Sequence, residues 1–211
     1  MSDILDIFKK TGAIITDSHF VLTSGKHSPV YINKDIAYAH TQTASLIGQL
    51  LAKKFKSANI DIVAAPAFGG IVLSQWTAHH LSKLKKKEVL SVYTEKTPDK
   101  NQILTRGYDV LVKGKNVLVV EDLTTTGTSV RKAIISVRQA GGKVVGVGIL
   151  INRNPREVDK KAITAPFYAL ANFPTEVFDE KNCPLCKKNV PVNTSVGHGK
   201  KYLEEKKRTT A

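Results

Sequence analysis

Residues 117–130 read VLVVEDLTTTGTSV: an apolar run, two adjacent acids, then hydroxyl side chains broken by one glycine. Carboxylates at the end of a hydrophobic run are costly to bury without partners. Glu121 and Asp122 are therefore expected to meet hydrogen-bond donors such as sugar hydroxyls. The residues that follow, Thr124, Thr125, Thr126, Gly127, Thr128 and Ser129, are small or hydroxyl-bearing. A backbone made of such residues can wrap closely around a phosphate, above all where it leads into a helix N-terminus. Together the two groups predict a ligand that carries both sugar hydroxyls and a phosphate.

The elements needed to position these residues are legible as an alternation. Ser2 or Asp3 can cap a short helix carrying Ile4, Leu5, Ile7 and Phe8, and an extended stretch punctuated by Gly and Pro runs from Ile14 to Tyr38. Thr41 can cap a helix with Ile47, Leu50, Leu51 and Phe55 at helical spacing. Strand-type runs follow at IDIVAAP, VLSVYTE, NVLVVED, VVGVGILI and FYALANF, and SVRKAIISVRQ reads as a helix stopped by Gly141-Gly142. Such apolar strands are buried on both faces, as in a parallel sheet covered by helices. The expected class is α/β, a parallel central sheet flanked by helices. In these sheets ligands bind beyond the C-terminal strand ends. Glu121-Asp122, the Pro66–Gly70 turn and Asn152-Arg153 all fall at such ends.

Composition bounds the function. The 211 residues suffice for one domain with a sizeable core and a small appendage. No apolar run approaches the ~20 residues that span a bilayer, and the N-terminus MSDILDIFKK shows no signal-peptide pattern, so a cytoplasmic protein is expected. Cys183 and Cys186 are too few and too close for a disulfide framework. Much of the net charge of +14 sits after residue 180, where eight Lys or Arg face two Glu. A solvated lysine-rich surface accounts for it, or a field that attracts a phosphorylated small substrate. The absence of interleaved aromatics and of a binding module argues against nucleic acid.

The stretch VLVVEDLTTTGTS resembles the phosphoribosyl pyrophosphate (PRPP) motif of type I phosphoribosyltransferases. The resemblance implies that Glu121 and Asp122 hold the ribose 2′ and 3′ hydroxyls and that residues 124–129 hold the 5′-phosphate. HFVLTSGKHSPVYINKD, residues 19–35, resembles the N-terminal segment of orotate phosphoribosyltransferases. On that motif Thr23, Ser24, Gly25, Lys26, Ser28, Pro29, Tyr31 and Ile32 fall at the orotate pocket, with backbone near Tyr31-Ile32 meeting the pyrimidine edge. ILINR resembles the family's late strand, which makes Arg153 the expected partner of the orotate carboxylate, since a guanidinium fork suits a planar carboxylate. The resemblance covers about residues 1–155.

Two departures from the family pattern stand out. In APAFGGI, Gly69 occupies the place of a lysine, leaving Phe68, Gly69 and Gly70 to meet pyrophosphate through backbone donors. TEKTPDKNQILTRGY lacks the Lys-Asp-His-Gly run of the mobile catalytic loop; Lys96, Lys100 and Arg106 remain, and Lys96 is expected to be the catalytic cation.

The family implies Mg²⁺, held mainly by substrate oxygens, and a homodimer with shared active sites. The expected organisation is an N-terminal hood over 1–40, a PRPP-binding core over 41–175 with the type I phosphoribosyltransferase fold, and a basic cysteine-bearing tail over 176–211. The CPLC pair is half of a zinc site; His198 could be a third ligand, no fourth is evident, and cysteines that merely pack in the tail are the simpler reading. Alternative functions are transfer to a purine base, or PRPP sensing without chemistry.

Overall fold

The computed structural model describes residues 4–22 and 24–210. In chain order the elements are α1 (Ile4–Lys10), β1 (Ile14–Ile15), β2 (Phe20–Val21), β3 (His27–Ser28), β4 (Tyr31–Ile32), α2 (Lys34–Ala39) and α3 (Thr41–Lys54). Next come β5 (Ile62–Pro66), α4 (Gly69–Lys85), β6 (Leu90–Lys96), β7 (Gln102–Leu104), α5 (Tyr108–Val112), β8 (Asn116–Thr124), α6 (Thr128–Gln139), β9 (Lys143–Asn152), α7 (Lys160–Ile163) and β10 (Phe167–Asn172). The last are a 3₁₀ turn (Glu180–Asn182), α8 (Pro184–Lys187) and α9 (Gly199–Thr210). Among the described residues no helix is long and apolar enough to cross a membrane.

The chain divides into two compact units. Residues 4–7 and Tyr38–Pro174 form the first; Phe8–Ala37 and the segment from Thr175 onward form the second. The segments expected as a separate hood and a separate tail therefore share one unit.

The first unit is a six-stranded sheet in the order β10-β9-β8-β5-β6-β7. The strands pair in parallel except β7, which runs antiparallel on β6 at the edge. Strand pleating explains the two layers of helices. Val147 and Ile149 of β9 lie in one core cluster with Val117 and Val119 of β8 and with Val130, Ala133, Ile134 and Val137 of α6. The α6 residues recur at helical spacing, so one stripe of that helix faces the sheet. The alternate β9 positions, Gly146 and Gly148, leave room for the ring of Phe55 at the end of α3. Burial of these side chains, each worth roughly 1.5–3 kcal/mol, is what holds both layers on the sheet.

Two local expectations change. His40, with extended backbone, precedes α3, so Thr41 is its first helical residue and not its cap. The expected cap of α1, Ser2 or Asp3, lies outside the described residues. The polar stretch after β6 is also not a simple loop. It turns back through 97–101 and pairs as β7, with Lys96 opposite Gln102 and Thr94 opposite Leu104. The turn is closed by the Thr97 N–H on the Asn101 carbonyl at 3.1 Å. The side chain of Gln102 is buried because its Oε1 accepts from the Thr94 hydroxyl at 2.7 Å.

In the second unit β1 pairs with β4 and β2 with β3, both antiparallel. The C-terminal segment is stitched to these hairpins by backbone hydrogen bonds. His27 and Phe178 exchange N–H and carbonyl at 2.8 Å each way, the Asn193 N–H donates to the His19 carbonyl at 2.8 Å, and the His198 N–H to the Val21 carbonyl at 2.9 Å.

Candidate active site

The site of the first unit is built at the C-terminal ends of its parallel strands. β8 places Glu121 and Asp122 at its end, 7% and 6% exposed. The pleat sends Glu121 out with the row of Val117 and Val119, and Asp122 with the opposite row. The Leu123 N–H donates to Asp122 Oδ1 at 2.6 Å, which fixes that carboxylate against its own strand. Thr124, expected in the phosphate loop, is the last residue of β8 and is buried. Its hydroxyl accepts from the Gly127 N–H at 3.0 Å and so shapes the loop from within.

Residues 125–127 cross from the strand to α6. Gly127 precedes the helix at φ 69°, in the left-handed region, and an added Cβ would lie 2.7 Å from Arg131 Nη1. The guanidinium can shift, but the left-handed backbone favours glycine at this position. Thr126, Thr128 and Ser129 are exposed, with the hydroxyls of Thr126 and Thr128 2.8 Å apart. The first N–H groups of the twelve-residue helix α6 open beside them, where an anion is favoured by orphan donors and helix dipole alike. Arg131 Nη2 donates to the Thr126 carbonyl at 2.6 Å and braces the loop.

Neighbouring strands bring the remaining candidates to the same end. The Arg153 N–H, one residue past β9, donates to the Thr124 carbonyl at 2.8 Å. Asn152 holds that turn: its Nδ2 donates to the Val158 carbonyl at 2.8 Å and its Oδ1 accepts from the Asn154 N–H at 3.0 Å. On the other side of β8, β5 ends at Pro66 and the Ala67 N–H donates to the Thr94 carbonyl at 2.8 Å. The Ala67–Phe68 peptide is cis, Phe68 is fully presented to solvent, and Gly69-Gly70 open α4. A Cβ on Gly70 would lie 2.6 Å from the Ala65 Cβ, so the glycine lets the start of α4 sit against β5.

The three loop cations are placed differently from one another. Lys96 closes β6 with an exposed side chain. Lys100 lies in the hairpin turn, at φ 61°, and its carbonyl accepts from Lys132 of α6. Arg106 is paired: its Nε donates to Glu95 Oε1 at 2.9 Å. That hydrogen bond, with a second from the Thr105 hydroxyl, holds the Glu95 carboxyl below the usual carboxylate range. The pair is exposed and therefore weakly held, so pyrophosphate could compete for Arg106.

The second unit carries the other expected residues. Thr23 lies outside the described residues. Lys26 forms an ion pair with Asp179 at 3.3 Å, and Tyr31 and Ile32 make up β4, with the Tyr31 ring 5.5 Å from that of Phe20. Cys183 and Cys186 converge not on His198 but on His19 and His27, which reading the sequence missed as ligands.

This arrangement, a parallel sheet whose central strand ends in an acid pair and runs through a hydroxyl-rich loop into a helix, is the one expected of a phosphoribosyl-transferring enzyme. A profile of the phosphoribosyl transferase domain matches residues 35–170. The orotate phosphoribosyltransferase of Desulforamulus reducens is 40% identical over 90% of this chain and 93% of its own length. That of Caldanaerobacter subterraneus is 35% identical over the same shares. The crystal structure of orotate phosphoribosyltransferase from Aeropyrum pernix superposes with a TM-score of 0.63 at 25% identity, covering 80% of this chain and 93% of that one. The chain belongs to the phosphoribosyltransferases and, within them, to the orotate phosphoribosyltransferase family.

Proposed function

We propose that this protein transfers the phosphoribosyl group of PRPP to orotate, giving orotidine 5′-phosphate and pyrophosphate on the route to UMP. The observation that carries the reading is the Glu121–Ser129 segment: buried acids at a strand end running directly into a loop whose N–H groups and hydroxyls open at a helix N-terminus. Residues 125–129 would hold the 5′-phosphate, and Glu121 and Asp122 the ribose hydroxyls. The reaction forms a bond from an orotate ring nitrogen to ribose C1 and breaks the bond from C1 to the pyrophosphate oxygen. The proton of that ring nitrogen is lost in the same step and can pass to the departing pyrophosphate or to solvent, so the chain itself needs no strong general base. Its work is to hold both reactants in line and to neutralise the departing pyrophosphate.

Backbone donors at 68–70, with Lys96, Lys100 and Arg106, would meet the pyrophosphate. Arg153, with the segment around Lys26, Tyr31 and Ile32, would meet orotate. PRPP-using enzymes of this class generally take Mg²⁺, and the donors here fit it: Glu121 and Asp122 offer the carboxylate oxygens that suit a hard cation. When bound, it would neutralise phosphate charge, most of its ligands coming from the substrate. We place the enzyme in the cytoplasm, where free thiols such as Cys183 and Cys186 persist.

The test is pyrophosphate release from PRPP and Mg²⁺ with a panel of bases. Release with orotate and not with adenine or hypoxanthine supports the reading; release with a purine alone overturns it. We further infer a homodimer in which the loop around Lys96 serves the partner's site. Mixing Lys96→Ala with Asp122→Asn chains, each much less active than the parent, should then raise activity well above that of either alone. Subunit exchange verified by mass without recovered activity would refute the shared site.

A further inference from the structure

His19, His27, Cys183 and Cys186 of the second unit bring four soft or borderline donor atoms together, all within 4.8 Å of one another. We propose that these four side chains form a structural zinc site that clamps the C-terminal segment onto the β2–β3 hairpin.

The donors converge for identifiable reasons. Val21 pairs directly with His27 across the hairpin, and His19 is two residues from Val21, so strand pleating puts both imidazoles on one face. Cys183 immediately precedes α8 and Cys186 lies in its single turn, with the Lys187 N–H on the Cys183 carbonyl at 3.1 Å. That turn points both sulfurs the same way. His19 Nε2 stands 3.8 Å from each sulfur, and His27 Nδ1 stands 3.3 Å from Cys186 Sγ. The two imidazole nitrogens are 2.7 Å apart.

A tetrahedral zinc ion with bonds of ~2.3 Å to sulfur and ~2.0–2.1 Å to nitrogen has N···S edges of roughly 3.6 Å and an N···N edge of roughly 3.4 Å. The observed N···S distances bracket the first value. The imidazole nitrogens, 2.7 Å apart, would part by roughly 0.7 Å to reach the second.

The outer contact of His19 suits a ligand role as well. His19 Nδ1 meets the Val190 carbonyl at 2.8 Å. A carbonyl can only accept, so Nδ1 carries the proton and the Nε2 lone pair is directed into the cluster, the arrangement that orients metal-bound histidines. His19, His27 and Cys183 are essentially inaccessible, so an entering ion would be shielded from water. Two neutral imidazoles with two thiolates form a Cys₂His₂ set whose two negative charges balance Zn²⁺, and binding would release the two thiol protons to solvent.

Such a clamp has an evident purpose. It joins residues 164 apart in sequence, and a cross-link that closes a long loop removes the most entropy from the unfolded chain. The tail has little apolar surface of its own with which to anchor itself, since α9 is largely charged and is held by Tyr202 and Lys206 on Glu180 at 2.7 and 2.6 Å.

The test is metal content of the full chain, equilibrated with Zn²⁺ under reducing conditions and then freed of unbound ion. Elemental analysis should find about one zinc per chain, and Cys186→Ser and His27→Ala should each lower that at least tenfold, while His198→Ala should leave it unchanged. Since the variants could misfold, the wild-type chain is also loaded with Co²⁺, which should show the absorption of a tetrahedral thiolate complex. A wild-type chain that retains no zinc, a cobalt spectrum without thiolate ligation, or Cys183 and Cys186 joined as a disulfide in the reduced protein would each overturn the proposal.

Discussion

At the level of single residues, Asp122 is the group whose chemistry can be removed with least change of shape. Its carboxylate is nearly buried and held by the Leu123 N–H, so Asp122→Asn should fold as the parent does. A hydrogen bond to a charged group contributes ~1.5–3 kcal/mol, so PRPP affinity and turnover should drop by roughly 10- to 100-fold. Direct PRPP binding by calorimetry checks this, and unchanged binding would remove Asp122 from the ribose site. Arg153→Ala should raise the KM for orotate by a comparable factor and that for PRPP far less, because a guanidinium fork is matched to a carboxylate. Equal effects on both constants would dissociate Arg153 from the base. The residues from Glu121 to Ser129 were legible in sequence because one strand, one loop and one helix start carry them consecutively. His19 and His27 were not. Their partners lie 164 and 159 residues away along the chain, and no short-range spacing announces the cluster.

At the level of elements, the β6–β7 hairpin carries the cation proposed to act on rate. Lys96 ends β6 with its side chain exposed, while the hairpin base is fixed to α6 by the Leu104 N–H on Ser136 Oγ at 3.1 Å. In the proposed function Lys96 would meet pyrophosphate mainly as it leaves. Lys96→Ala should therefore lower kcat strongly and leave PRPP binding almost unchanged, as rapid-quench and equilibrium measurements would separate.

The start of the sheet offers a stability test remote from the chemistry. Asp61 Oδ1 accepts from Lys87 Nζ at 2.9 Å and its Oδ2 from the Asn116 N–H at 3.0 Å, which ties the entries of β5 and β8 together. The Lys87 hydrogen bond, then that of the Asn116 backbone, lowers the carboxyl pKa in the folded protein. A depressed carboxylate stabilises fully above its unfolded value of about 3.9 and loses that contribution as pH falls through the folded one. Asp61→Ala should cost about 1–2 kcal/mol at neutral pH in urea unfolding and progressively less in strong acid. A penalty independent of pH would contradict the assignment.

β5, β8 and β9 were readable because burial on both faces makes them nearly continuous apolar runs, while the half-buried β6 and β10 were read from their strand-type residues. β7 was not, because its three residues begin with a polar Gln102 whose burial depends on a partner across the hairpin.

At the level of the whole molecule, a sheet unit holds the segment proposed to bind PRPP, and a second unit, made from two segments far apart along the chain, holds the segment proposed to meet the base and the cysteine–histidine cluster. That joining of hood and tail could not be read from local sequence, since the hydrogen bonds that make it, such as His27 with Phe178 and Asn193 with His19, link segments at opposite ends of the chain. The charge of +14 fits either a plain soluble surface or attraction of a polyphosphorylated substrate, and steering of the latter kind weakens steeply with salt. The central claim is the choice of base. It is tested most directly by incubating the purified chain with PRPP, Mg²⁺ and equimolar orotate, uracil, adenine, guanine and hypoxanthine, and identifying the nucleotide formed by mass. Orotidine 5′-phosphate should be the dominant product, appearing one for one with pyrophosphate. A purine nucleotide in its place, or no nucleotide while PRPP is bound, would contradict the account.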